Sequence, residues 1–279
     1  MIVIQNIINM IPKDLKVYCI DVGQGDCLLV ITPTNKKVLI DGGEGNYDKY
    51  DAGKNIVLPY LLARGITKLD YIVVSHFDSD HVGGLFAIIE NLKVGKIFIG
   101  KQYESSEELK DLIKIANKKK VEIFGLESGN RLNIDRYVYF DVLFPDSKNM
   151  IPENHKNNNS LIVKLIYGEF SCLFTGDVEE IAEKKIVRKY ENSNELNTDI
   201  LKVAHHGSKT STIEEFLKEA KPKVALISAG ENNTFGHPNR NVLERLENTG
   251  CQIFRTDNDG EITIRVNRKG RIRIGKMLN

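Results

Sequence analysis

The stretch Ser75-His76-Phe77-Asp78-Ser79-Asp80-His81-Val82-Gly83-Gly84 constrains this chain more than any other. It directly follows the apolar run Tyr71-Ile72-Val73-Val74, whose length and β-branched content read as a buried strand. A charged cluster therefore falls where a strand ends and the chain turns, which is where layered α/β folds place their chemistry. Two imidazoles and two carboxylates, His76, Asp78, Asp80 and His81, supply nitrogen and oxygen ligands for divalent cations. Without a cation, two carboxylates this close would repel each other, so a metal site is expected rather than a polar turn with incidental histidines. Gly83-Gly84 then lets the backbone pass close to that site.

The 279 residues suffice for one large domain or for two halves sharing a core. With 39 basic and 38 acidic residues the net charge is +1, which excludes a global field able to hold a polyanion. Any nucleic-acid contact must be local. Cys19, Cys27, Cys172 and Cys251 show no paired spacing, and three of them sit in apolar runs, so reduced structural thiols are expected. Residues 1–10 are partly apolar but lack a basic leader region, a long apolar region and a small-residue cleavage site. No apolar run approaches membrane length, and the expectation is a soluble cytoplasmic protein without a membrane segment.

Along the chain, strands are predicted over 17–21, 27–32 and 37–40, a meander closed by Asp41-Gly42-Gly43. A helix around 56–63 precedes the metal stretch, and a helix over 85–92, a strand over 96–99 and a helix over 105–119 follow it, the last opened by a Ser105/Glu108 capping box. Strands over 121–124, 131–134 and 137–144 lead to a polar, Asn-rich stretch with two prolines, 145–159, taken as the half-way boundary. Beyond it come strands over 161–167, 170–174, 200–204 and 224–227, helices over 178–190 and 213–220, a helix after Pro238, and strands over 252–255, 261–266 and 271–274. Strand and helix alternate, so the class is layered α/β. Lys118-Lys119-Lys120 reads as a solvated helix end rather than a nucleic-acid contact.

Three further strands end in polar clusters. Phe170-Phe174 runs into Thr175-Gly176-Asp177, which alone would be plain turn chemistry. Leu201-Lys202-Val203-Ala204 ends in His205-His206-Gly207-Ser208-Lys209. Neighbours leaving a strand point in opposite directions, so His205 is expected to ligate and His206 to support it. His237 precedes Pro238 at an expected helix start, where anions are favoured, with an ordinary surface histidine as the alternative.

Taken in order, Asp21-Val-Gly-Gln-Gly-Asp26, Leu39-Ile-Asp-Gly-Gly43, His76-x-Asp-x-Asp-His81-x-Gly-Gly, Asn159-Ser-Leu, Phe174-Thr-Gly-Asp177, His205-His-Gly-Ser208 and Gly236-His-Pro238 resemble the metallo-β-lactamase superfamily. More narrowly they resemble the hydrolase domain of ComEC-type DNA-uptake proteins and its free-standing relatives, over roughly 17–274. The resemblance implies a four-layer αββα sandwich, a single domain over 1–279 with related halves of about 15–145 and 160–279, and a dinuclear site between the sheets. It implies a first metal on His76, Asp78, a third-motif ligand and bridging Asp177, and a second on Asp80, His81, Asp177 and His205, with Asp41 orienting the site.

Two departures bear on the metal. Asp78 stands where the superfamily commonly has histidine, and the third motif offers Asn158-Asn159-Ser160, with His155 nearby as an alternative ligand. Both replace nitrogen by oxygen, which moves preference from zinc toward manganese or magnesium and weakens the first site. The expected activity is a two-metal phosphodiesterase or nuclease, with a phosphodiester such as single-stranded DNA as substrate. Asp80, His206 and His237 are the expected catalytic residues, and Ser208, Lys209 and Asn159 the substrate contacts. A hydrolase of an ester, lactone or thioester, and a degenerate metal-binding partner protein, are the alternatives.

Overall fold

The structure, a computed structural model, describes residues 14–46 and 50–278. The stretch 1–10 read above for a leader lies outside the described residues, as do 47–49.

The predicted meander forms β1 (Leu15–Cys19), β2 (Leu28–Ile31) and β3 (Lys37–Ile40), followed by a small hairpin, β4 (Gly45–Asn46) and β5 (Tyr50–Asp51). A π-helical turn, Gly53–Val57, runs into α1 (Leu58–Ala63), and β6 (Lys68–Val74) delivers the metal stretch. Two helices carry that stretch onward, α2 (Ser79–Val82) and α3 (Leu85–Asn91), before β7 (Lys93–Gly100), α4 (Glu107–Lys119) and β8 (Glu122–Leu126). The cap of α4 is Ser106, whose hydroxyl accepts from the Leu109 amide at 3.1 Å, one residue later than the expected Ser105.

Next come β9 (Arg131–Asn133), β10 (Val138–Phe144), the short α5 (His155–Asn158), β11 (Ile162–Tyr167), β12 (Phe170–Phe174) and α6 (Glu180–Tyr190). The chain ends with β13 (Ile200–Lys202), α7 (Glu214–Ala220), β14 (Val224–Ile227), α8 (Arg240–Asn248), β15 (Gln252–Arg255), α9 (Thr256–Asp259), β16 (Ile262–Val266) and β17 (Ile272–Lys276). Helix α8 opens on Asn239, whose side chain accepts from Asn241 N–H, so Pro238 precedes the helix instead of occupying its first turn.

The strands make an eight-stranded sheet in the order β17-β16-β1-β2-β3-β6-β7-β8 and a seven-stranded sheet in the order β15-β14-β13-β12-β11-β10-β9. β6 shows why they stack: Tyr71 and Val73 face the core between the sheets, while Ile72 and Val74 face the helices. Burial on both faces explains a continuous apolar run in place of alternation. Val17, Val30, Phe140, Leu165 and Phe174 fill the space between the sheets. Leu85, Ile88 and Leu112 cover the first sheet's outer face, and Ile186, Phe216 and Leu246 the second's. The result is the expected αββα sandwich.

Each sheet takes strands from both sides of the 145–159 stretch, since β9 and β10 join the second sheet and β16 and β17 the first. Strands β3, β6, β7 and β8 run parallel, as do β12 to β15, so the C-terminal ends that carry the polar clusters gather at one rim. Among the described residues no helix is long and apolar enough to cross a membrane.

Candidate metal centre

Asp41, just past β3, organises the centre. Its carboxylate accepts from the Ser75 amide (2.8 Å) and the Ser75 hydroxyl (2.7 Å), and lies 3.0 Å from His81 Nδ1. A carboxylate only accepts, so His81 Nδ1 carries the proton and its Nε2 is the free atom. The Ser75 hydroxyl has spent its hydrogen on Asp41, so His76 Nδ1, 3.0 Å away, must donate to it. His206 Nδ1 likewise donates to the Ser228 carbonyl at 2.9 Å. All three rings are thereby oriented with Nε2 directed at Asp177.

The distances separate two half-sites. His81 Nε2 lies 3.2 Å from Asp177 Oδ1 and 3.3 Å from His206 Nε2. His206 Nε2 is in turn 3.3 Å from Asp80 Oδ2 and 3.4 Å from Asp177 Oδ2. Ligand atoms about 2.0–2.1 Å from a tetrahedral ion stand about 3.3–3.4 Å from one another, the spacing seen from Asp177 to His81, from His81 to His206 and from His206 to Asp80, with His81 and His206 approaching different oxygens of Asp177. The other half-site is wider: His76 Nε2 is 3.7 Å from Asp78 Oδ2 and 4.0 Å from Asp177 Oδ2. His76 Nε2 is buried with no hydrogen-bond partner, the state of a nitrogen that a cation would satisfy.

Charge follows geometry. Although burial opposes it, the imidazoles of His81 and His206 hold Asp80 and Asp177 below the usual carboxylate range. Burial also opposes protonation of His81 and His206, yet Asp177 and its neighbours raise both above the ordinary imidazole value. A bound cation must displace those protons. Burial, reinforced by His81, pushes His76 down to about 4, so it is already the free base.

The expected residues divide as follows. His76, His81, Asp177 and His206 form a buried floor, with Asp78 and Asp80 on the more open side. His205 stands off at the rim: its Nε2 is 3.8 Å from Asp177 and its Nδ1 3.7 Å from Glu179. In place of an extended exit from β13, both histidines adopt left-handed backbone (φ 51° and 54°), and His206 turns inward. Ser208 is buried with its hydroxyl against Thr210, and Lys209 is exposed. His237 stacks under the exposed ring of Phe235 at 5.8 Å, and burial with the nearby His206 and His205 lowers it to about 4.

Asn159 does not reach the site: its side chain accepts from Ile151 N–H and donates to the Ile151 and His155 carbonyls, pinning the 145–159 loop. Asn158 braces Glu179, and the His155 ring lies against Tyr103, so neither meets the centre. The third-motif residue that does is Ser160, whose hydroxyl accepts from Asp177 N–H at 3.2 Å. Sequence reasoning missed Lys156, 3.4 Å from Asp78, because nothing in a polar loop marks one lysine. It also gave no role to the buried pair Asp26 and Lys202; the signal was a lysine inside an apolar run.

Close backbone approach holds the centre together. A Cβ on Gly25 (φ 118°) would lie 2.2 Å from the Asp80 carbonyl, and one on Gly84 would lie 2.1 Å from that of Gly42.

The chain matches the family described as Metallo-beta-lactamase superfamily over residues 20–231. It belongs to that superfamily. Relatives of this metallo-β-lactamase chain include ComE operon protein 3 of Bacillus subtilis, 35% identical over 88% of the chain, and Competence protein ComA of Neisseria gonorrhoeae, 31% identical over 90%. The chain spans 32% of the length of each. The resemblance to ComEC-type competence proteins therefore stands. Among solved structures, CmlA, a diiron β-hydroxylase from Streptomyces venezuelae, aligns with TM-score 0.58 and 12% identity over 95% of this chain and 54% of that one. YhfI from Bacillus subtilis, a metallo-β-lactamase fold protein, aligns with TM-score 0.54 and 14% identity over 86% and 96%. At these identities the shared property is the fold.

Proposed function

We propose that this metallo-β-lactamase domain is a phosphodiesterase with a dinuclear metal centre, acting on single-stranded DNA or frayed ends. One observation carries the reading: the 3.2–3.4 Å separations among Asp80, His81, Asp177 and His206. In this proposal those four side chains hold one cation, with His206 taking the place first expected of His205. His76, Asp78 and Asp177 hold the other, with Ser160 close by. Divalent cations bound there would supply a water of lowered pKa and neutralise charge on a phosphoryl group.

The chain's own residues supply the rest. Asp80 has one oxygen 3.3 Å from His206 and sits at the accessible side, so it can both ligate and orient the attacking water. His237, kept neutral beside His205 and His206, lines the same rim and can accept a hydrogen bond from the substrate. Lys156 beside Asp78 and the exposed Lys209 are local cations suited to phosphate. Phe235, 67% exposed over His237, offers a stacking face for an unpaired base, which favours a single strand. The carboxylate content favours manganese over zinc.

The test compares end-labelled single-stranded and duplex DNA with bis-para-nitrophenyl phosphate and a panel of lactones and thioesters, with manganese present. Cleavage of single-stranded DNA ahead of duplex is expected. Turnover of a lactone or thioester with every phosphodiester untouched would contradict the phosphate reading.

A further inference from the structure

Lys202 ends β13 with its side chain inside the molecule, only 1% exposed. A fully buried lysine is rare and is destabilising unless paired. Its ammonium lies 2.7 Å from Asp26 Oδ2 and donates to the Val203 carbonyl at 3.0 Å. Asp26 comes from the loop between β1 and β2, so the pair joins the two sheets directly behind the centre.

Asp26 touches the proposed metal ligands on two sides. Its Oδ1 is 3.4 Å from His206 Nδ1, and its amide donates to the Asp80 carbonyl at 3.1 Å. That Oδ1 has no hydrogen-bond partner. Ligand atoms of Asp26, His81 and His206 all lie within 4.8 Å of one another, so a free Asp26 could itself take up a cation. What distinguishes it from Asp80 and Asp177 is the ammonium held against its other oxygen.

We propose that Lys202 is a positioning residue for the metal centre: it neutralises Asp26, so that Asp26 lies against the His206 ring without adding a charge or a ligand to the centre. The inference rests on the metal reading above, and it makes the two members of one ion pair act on metal affinity in opposite directions. Without the carboxylate, an uncompensated ammonium repels the cation. Without the ammonium, an uncompensated carboxylate attracts it.

Manganese titration of the full chain, with free ion counted by electron spin resonance, tests this. Asp26→Asn is expected to weaken binding by about tenfold to a hundredfold, the range found for supporting residues at metal sites. Lys202→Met is expected to tighten binding, and the double variant to return toward wild type. A purely structural salt bridge would lower the melting temperature of both single variants while moving affinity in neither direction. Both single variants shifting affinity the same way, or neither shifting it, would overturn the proposal. Should Lys202→Met fail to fold, recovery of affinity in the double variant relative to Asp26→Asn supports it, and no recovery overturns it. Wild-type protein that binds no manganese would fail before any variant is compared, and that result counts against the metal reading itself.

Discussion

His205 and His206 are adjacent in sequence and unequal in the site. His206 is buried among Ser228, Asp26, His81, Asp80 and Asp177, whereas His205 is 22% exposed and stands 3.8 Å from Asp177. We therefore predict that His206→Ala lowers manganese affinity by more than about a hundredfold, while His205→Ala costs about tenfold or less. Calorimetric titration of both variants checks this, and equal losses would return His205 to the first rank. Asp177 was visible only as an aspartate after a glycine, and it gained meaning from the other motifs. The placement of the two histidines was not legible, because it rests on two consecutive left-handed residues just before Gly207, which packs too close to Pro238 to carry a Cβ. Asp26 and Lys202 were hidden for a related reason: their chemistry exists only once the two sheets meet.

At the scale of elements, a buried carboxylate fixes the loop behind the histidines. Glu183 of α6 accepts from the Thr212 and Ile213 amides at 2.7 and 2.9 Å, immediately before α7. Burial pushes it up to about 7, against an ordinary value of 4.5, despite those two hydrogen bonds. A raised folded-state value gives stability that is fully present below pH 4.5 and is lost as pH rises through about 7. Glu183→Gln should remove that slope, so wild type loses about 3 kcal/mol relative to the variant between acid and neutral pH. Thermal melting at several pH values measures it, and parallel curves would refute the assignment. The cap of α4 allows a simpler check: Ser106→Ala should cost about 1 kcal/mol in chemical denaturation, and Ser105→Ala far less. The helix itself was legible from its apolar spacing; which serine capped it depended on where the preceding loop turned.

At the scale of the molecule, the layered architecture was legible because the central strands are apolar runs and the site's polar clusters fall at strand ends. The exchange of strands between the sheets was not, since β16 pairs with β1 across most of the chain's length and β17 then adds to β16, and no local pattern encodes so distant a partner. That exchange ties the two sheets together around the rim where Asp41, His76, His81, Asp177 and His206 converge.

We propose that this rim hydrolyses phosphodiesters through bound divalent cations. This is tested most directly by hydrolysis of bis-para-nitrophenyl phosphate before and after exhaustive chelation, followed by stepwise return of manganese. Chelation is expected to abolish turnover, manganese to restore it better than zinc, and Asp177→Ala to stay inactive at every manganese concentration. Turnover that survives complete removal of divalent ions would contradict it.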